Sequence, residues 1–272
     1  MSGAPFASRP VVLRGEKVSR YFGGLAAVSM VDFEVPEGVI FGLIGPNGAG
    51  KTTLFRVISG VYPPSTGRVF FRGKDISGLK PHQTCHLGIT NTHQVVKPFR
   101  EMTVFDNVRV GASFGRAGQA RDLRRRVQDV LEFTGLAPKA DQLARNLTLP
   151  DHKRLEIARA LATHPQILLL DEVIAGLNPT EQTLTMALIQ QIRDRGITVI
   201  MVEHVMKAVM GICEWIMVLN YGEKIAEGTA SEIAGDPAVQ TAYLGTRFAA
   251  SKLEAESVDG EDGDHPAGGA GG

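Results

Sequence analysis

The sequence predicts an α/β protein, a largely parallel sheet wound with helices and interrupted by an all-helical segment. Three observations predict it. Apolar runs of strand length recur at Val39–Ile44, Ile167–Leu170, Thr198–Val202 and Trp215–Leu219, and unbroken runs suit strands covered on both faces. Helical stretches separate the later runs, the alternation of a parallel sheet with right-handed crossovers. Between about 95 and 160, Val104–Val110 and Leu123–Phe133 have helical spacing and no strand signal intervenes.

Each element follows in order. The opening segment reads as short strands; in Val28–Val35 the apolar Val31, Phe33 and Val35 alternate with Asp32 and Glu34, the period of a half-buried strand. Val39–Ile44 ends at a glycine-rich turn, and Lys51–Ser59 reads as a helix closed by Gly60. Pro63–Gly67 is a turn that leads into a strand at Arg68–Arg72. The expected organisation is one domain over 1–248 with the helical insertion at about 95–160. Residues 249–272, rich in Gly, Ala and acidic residues and lacking aromatics, are expected to form a disordered tail.

Composition narrows the function. Of 272 residues 43% are hydrophobic, enough for a sizeable core. Acidic and basic residues balance at 29 each, which speaks against nucleic acid as a partner. The basic run Arg121–Arg126 has apolar neighbours at helical spacing and reads as a solvated helix face. Cys85 and Cys213 lack metal or redox spacing and are expected to be free thiols in a reducing cytosol. The first ten residues lack the pattern of a secretory signal. The longest apolar runs are about six residues, far short of the roughly 20 that span a bilayer.

The chemistry concentrates in two places. Gly45-Pro46-Asn47-Gly48-Ala49-Gly50-Lys51-Thr52 fits G-x-x-x-x-G-K-[ST] and lies between a buried strand and a helix, the context that makes the motif credible. Glycines let backbone N–H groups turn inward as an anion nest at a helix N-terminus. Lys51, expected to be exposed to phosphate rather than packed, supplies a charge for β and γ phosphates; the Thr52 hydroxyl can ligate Mg²⁺. The binding segment runs from Gly45 to Thr53. Its spacing does not fit the dinucleotide-binding G-x-G-x-x-G.

The second place is Asp171-Glu172, at the end of an apolar strand about 120 residues later. Strand alternation sends adjacent side chains in different directions, which suits different roles: Asp171 for Mg²⁺, Glu172 to orient or deprotonate the attacking water.

In this order the motifs resemble the ABC transporter ATPases over nearly the whole chain up to about Arg247. The resemblance implies a RecA-like P-loop NTPase core with an antiparallel β subdomain and a helical insertion. It further implies ATP and Mg²⁺ as cofactors. Phe22 or Tyr21 stands where the family stacks an aromatic on adenine. Gln94 matches the glutamine that links the Mg²⁺ site to the insertion, and His204 the histidine that contacts the γ-phosphate. Gly176-Leu177-Asn178 matches the dimer-contacting loop, with Asn178 where most members carry Asp.

Several segments resemble the branch that takes up branched-chain amino acids: Lys97–Val104, Arg154–Arg159, Ala175–Pro179 and Ala242–Gly245. Lipopolysaccharide-export and urea or amide-uptake ATPases have similar ones. The resemblance implies two membrane permease subunits, an extracytoplasmic solute-binding protein acting indirectly, and a peripheral position at the cytoplasmic face of the inner membrane.

The departure is the signature, which the family usually writes LSGGQ and this chain writes Leu147-Thr148-Leu149-Pro150-Asp151. Leu149 is expected to bring a Cβ toward the nucleotide, Pro150 to withhold a donor, and Asp151 to place negative charge near phosphate. Proline in a first helical turn leaves the fold intact. In the family each ATP lies between one subunit's phosphate loop and the other's signature, so the degraded segment implies a heterodimer with a standard partner. It equally motivates the alternative of a regulatory nucleotide-binding subunit with little hydrolysis. Val173 and Val205 also depart from the family's usual proline and acidic residue.

Overall fold

The computed structural model describes residues 9–92, 98–116 and 122–243. Gln94 lies outside these residues, as do Lys97, Arg121 and the expected tail.

The apolar runs become the interior of a six-stranded sheet. Its strands are β3 (Ile40–Ile44), β6 (Ile89–Asn91), β7 (Ile167–Asp171), β8 (Thr198–Val202), β9 (Trp215–Asn220) and β10 (Glu223–Gly228), in the order β10-β9-β3-β8-β7-β6. All neighbours are parallel except β9 and β10, which are antiparallel. A second, antiparallel sheet has the order β2-β1-β4-β5, from β1 (Val11–Phe22), β2 (Leu25–Pro36), β4 (Thr66–Phe71) and β5 (Lys74–Asp75). The alternation read from Val28 to Val35 is real: Val31, Phe33 and Val35 are buried and Asp32 and Glu34 exposed.

Period-two geometry divides β3 between two cores. Phe41 and Leu43 join Leu13, Val31, Leu54 and Phe55 between the sheets. Ile40 and Ile44 face the other way, onto α6 (Pro179–Asp194) and α7 (Met206–Ile212). At about 1.5–3 kcal/mol for each buried large aliphatic side chain, the strand that delivers the phosphate loop is held firmly from both faces.

Between β6 and β7 the described residues contain helices and no strand. They are α3 (Val104–Phe114), α4 (Leu123–Phe133) and α5 (Leu149–Leu161), and Val104, Val108, Val127, Leu131, Leu155 and Ala158 form their shared core. Thr103 caps α3 by accepting the Asp106 N–H at 3.0 Å. Arg124 and Arg125 are exposed, as expected of a solvated face. Cys213 is buried, Cys85 is half-buried, and both are free. Among the described residues no helix is long and apolar enough to cross a membrane. The remaining helices are α1 (Lys51–Ile58), α2 (Pro81–Leu87) and α8 (Ala230–Gly235).

Candidate nucleotide site

The phosphate loop begins where β3 ends, and two of its glycines are forced by space. A Cβ on Gly45 would stand 2.1 Å from the carbonyl oxygen of Leu219, and one on Gly50 2.3 Å from that of Ala27, with φ of 148° and 97°. No side chain fits either place, so the loop is pressed against β9 and β2. The Gly222 N–H donates to Ala49 O at 3.1 Å and fixes it further. Helix α1 starts at Lys51, so its N-terminal N–H groups and dipole face the loop. A cavity of about 280 Å³ opens there, lined by Ala27, Gly48, Lys51, Thr52, Thr53 and Tyr221.

Lys51 corrects one expectation. It is buried, 8% exposed, and its Nζ donates to the carbonyls of Gly45 at 2.7 Å and Pro46 at 2.9 Å. Burial holds its pKa below the ordinary lysine value, while the negative fields of Glu172 and Asp171 pull the other way. Leu43 and Asp171 both pair with Val202, so the carboxylates stand level with the end of β3, where the loop begins.

Asp171 closes β7 as a buried residue, and its N–H donates to Thr92 Oγ1 at 3.1 Å. Glu172 turns away. Its backbone is left-handed, φ 50°, its N–H donates to Val202 O at 2.9 Å, and its carbonyl accepts from Lys153 Nζ at 2.8 Å. The carboxylate is a quarter exposed, and its Oε1 lies 3.7 Å from His204 Nδ1. The left-handed turn and the burial set the two apart: Asp171 is buried and Glu172 partly exposed beside His204. The Thr52 hydroxyl and the Asp171 carboxylate are oxygen donors, the kind that a hard divalent cation such as Mg²⁺ takes.

Neither candidate aromatic lines this cavity. Tyr21 faces a separate one with Met30, Asp32 and Gly67, and its N–H donates to Ser65 Oγ at 3.1 Å. Phe22 packs edge-on against Tyr62 at 5.3 Å, with the Arg20 guanidinium 4.8 Å above its ring. The aromatic beside the phosphate loop is Tyr221, exposed on the β9–β10 turn with φ 47°. A positive-φ turn tip gives no periodic signal, and only its place after an apolar strand hinted at it.

The altered signature also lies differently from expectation. Thr148 is the N-cap of α5, with Pro150 in the first turn, where proline costs nothing. Asp151 does not aim negative charge at phosphate. It is buried among Lys139, Thr148, whose hydroxyl donates at 2.7 Å, and Arg154 at 3.9 Å. Burial pushes its carboxyl up, but hydrogen bonds from Lys139 and Thr148 and the positive fields of Lys139 and Arg154 together hold its pKa below the ordinary value. Leu149 remains exposed; its Cδ2 would lie 3.7 Å from a Cβ at Gly176. Asn178 begins α6 with a reciprocal cap: its Oδ1 accepts the Glu181 N–H at 3.0 Å and Glu181 Oε2 accepts the Asn178 N–H at 2.9 Å. Asn caps as well as Asp, so this departure leaves the helix start unharmed. Val173 is a buried core residue, and Val205 packs against the same core.

Phosphate nest, buried cationic loop and paired carboxylates on β7, the parallel strand one beyond β8, together define a P-loop ATPase cassette. The chain belongs to the ABC transporter family, whose profile matches residues 28–175; a second profile, branched-chain amino acid ATP-binding cassette transporter, matches 223–249. It is similar to the LivG high-affinity branched-chain amino acid transport ATP-binding protein of Salmonella typhimurium, 43% identical over 82% of this chain and 94% of that one. The corresponding BraF of Pseudomonas aeruginosa is 39% identical over 88% and 99%. The lipopolysaccharide export ATP-binding protein LptB of Haemophilus influenzae is 32% identical over 87% and 98%. Among solved structures, the ADP conformation of MJ1267, an ATP-binding cassette of an ABC transporter, superimposes with a TM-score of 0.81 at 32% identity, covering 87% of this chain and 99% of that one.

Proposed function

We propose that this cassette powers an importer for branched-chain amino acids or related amides. The LivG and BraF similarities support that cargo, as does the profile match at 223–249. The observation that carries the catalytic reading is sheet register: Leu43, just before the phosphate loop, and Asp171, just before Glu172, both pair with Val202.

In this reading the loop from Gly45 to Thr53 holds the ATP phosphates through backbone N–H groups and Lys51. Thr52, Asp171 and Gln94 hold Mg²⁺, which supplies charge neutralisation on the phosphates. Glu172 accepts a proton from the attacking water, and His204, 3.7 Å from it, contacts the γ-phosphate. Phe22 or Tyr21 reaches adenine only after a rearrangement of the end of β1. The single domain runs over 1–248, its helical insertion at about 95–160 presses on two membrane permeases, and 249–272 is a tail. A second ATPase subunit completes the site, an extracytoplasmic solute-binding protein delivers cargo, and the chain sits peripherally on the cytoplasmic face of the inner membrane.

The test is Glu172→Gln. Turnover falls roughly 10²–10⁴-fold, as for loss of a general base, while a fluorescent ATP analogue binds as before. Unchanged phosphate release would remove Glu172 from the mechanism.

A further inference from the structure

The turn after β7 is a strained segment beside the site. Glu172 holds a left-handed backbone without being glycine. Such a conformation is strained for a residue with a side chain and persists only where the surroundings over-determine it.

Three bonds do so. The Glu172 N–H donates to Val202 O at 2.9 Å. The Glu172 carbonyl accepts from Lys153 Nζ at 2.8 Å. Two residues on, the Ile174 N–H donates to Glu203 Oε1 at 2.8 Å. The first is ordinary strand pairing. The other two come from ionisable side chains that are themselves buried, Lys153 at 8% and Glu203 at 1% exposure. Burying a charge is costly unless its bonds compensate, so both side chains invite a functional account. Glu203 makes the point sharper: its Oε2 is buried and has no hydrogen-bond partner among the described residues.

We infer that Lys153 and Glu203 are positioning residues for Glu172, gripping its left-handed turn from two sides and so fixing the direction of its carboxylate. The inference rests on the reading of Glu172 as the group that activates water. Lys153 stands on α5, the helix that opens at the altered signature, and its bond gives that helix a direct hold on the Glu172 carbonyl. Glu203 immediately precedes His204, so the histidine and the carboxylate are carried by one hydrogen-bonded unit. A displacement of α5 that stretches the Lys153 bond turns the carboxylate without touching the phosphate loop. Nucleotide binding and water activation are thereby separately adjustable.

The experiment uses the full-length chain with the subunits it purifies with. It measures kcat and KM for ATP by phosphate release, together with the affinity for a fluorescent ATP analogue, per folded molecule. Glu203→Leu and Lys153→Met lower kcat about ten- to a hundredfold, the scale of an ångström-sized misplacement, with KM and analogue affinity within about twofold of wild type. Glu203→Gln, whose amide oxygen accepts the same bond from Ile174, restores kcat to within about threefold. Wild-type kcat in Glu203→Leu and Lys153→Met beside a slowed Glu172→Gln overturns the inference while sparing the reading of Glu172. A rise in KM with kcat intact, or Glu203→Gln no better than Glu203→Leu, overturns it as well. If Glu172→Gln itself turns over normally, the underlying reading has failed instead. Should Glu203→Leu not fold, Lys153→Met decides.

Discussion

Replacing Glu203 by glutamine flattens the dependence of stability on pH. Burial raises the Glu203 carboxyl from 4.5 to about 7; the bond from Ile174 and the positive fields of His204 and Lys153 oppose that rise, and Glu172 adds to it. Because the folded pKa lies above the unfolded one, the folded chain keeps a proton that the unfolded chain releases. The resulting stability is fully present below about pH 4.5 and is lost as pH rises through about 7. At about 1.4 kcal/mol per pH unit the full loss is about 3.4 kcal/mol, of which a scan from pH 5 to pH 8.5 captures about 2.5. Glutamine carries no such proton. Urea unfolding of both proteins, followed by circular dichroism at steps across that range, shows the wild-type stability falling relative to the variant by that amount as pH rises. Parallel curves would refute the assignment of a near-neutral buried carboxyl, and with it the cost ascribed to keeping Glu203 in place.

Three further outcomes follow from the site. Lys51→Ala abolishes binding of a fluorescent ATP analogue, since the only side-chain charge in the loop is lost; wild-type affinity would sink the assignment of the loop. Leu149→Gly with Pro150→Gly, leaving Asp151 untouched, raises steady-state phosphate release from the chain alone at least tenfold, because two backbone donors become free to meet phosphate and each charge-assisted bond contributes about 1.5–3 kcal/mol. Equal turnover in the unrepaired chain would end the argument for a heterodimer. Asp151→Ala leaves the Lys139 ammonium and the Thr148 hydroxyl without their buried acceptor and lowers unfolding free energy by about 1–3 kcal/mol, read from the urea midpoint; an unmoved midpoint would show the cluster to be idle.

The features legible in sequence are those with a period or a fixed spacing. β3, β7, β8 and β9 were readable because a strand covered on both faces must be apolar throughout. The phosphate loop and the carboxylate pair were readable because each occupies one uninterrupted stretch. What escaped is joined across the chain or depends on side-chain direction. Asp151 sits in a motif that suggested contact with phosphate, yet its partner Lys139 is on a different segment with no repeating relation to it. Lys153 and Glu203 serve backbone groups of Glu172 and Ile174, and a backbone acceptor or donor has no signature in the sequence. Lys51 looked solvent-facing because its motif is defined by a ligand, whereas the loop's own carbonyls hold it. The short β5 and β6 and the helices α2 and α8 lack enough residues to display a period, and β10, with only Gly228 buried, has neither an apolar run nor an alternation.

The position of β3 between β8 and β9 also has a bearing on synthesis. The strand that carries the loop ends at Ile44, and its first neighbour begins at Thr198. At 5–20 residues per second, roughly 10–30 seconds separate the emergence of the loop from that of either flanking strand. Throughout that interval the loop from Gly45 to Thr53 is already outside the ribosome, while the carbonyl of Leu219 that confines Gly45 has yet to be made. A chain ending before Thr198 would possess the whole motif and leave β3 unpaired along both edges.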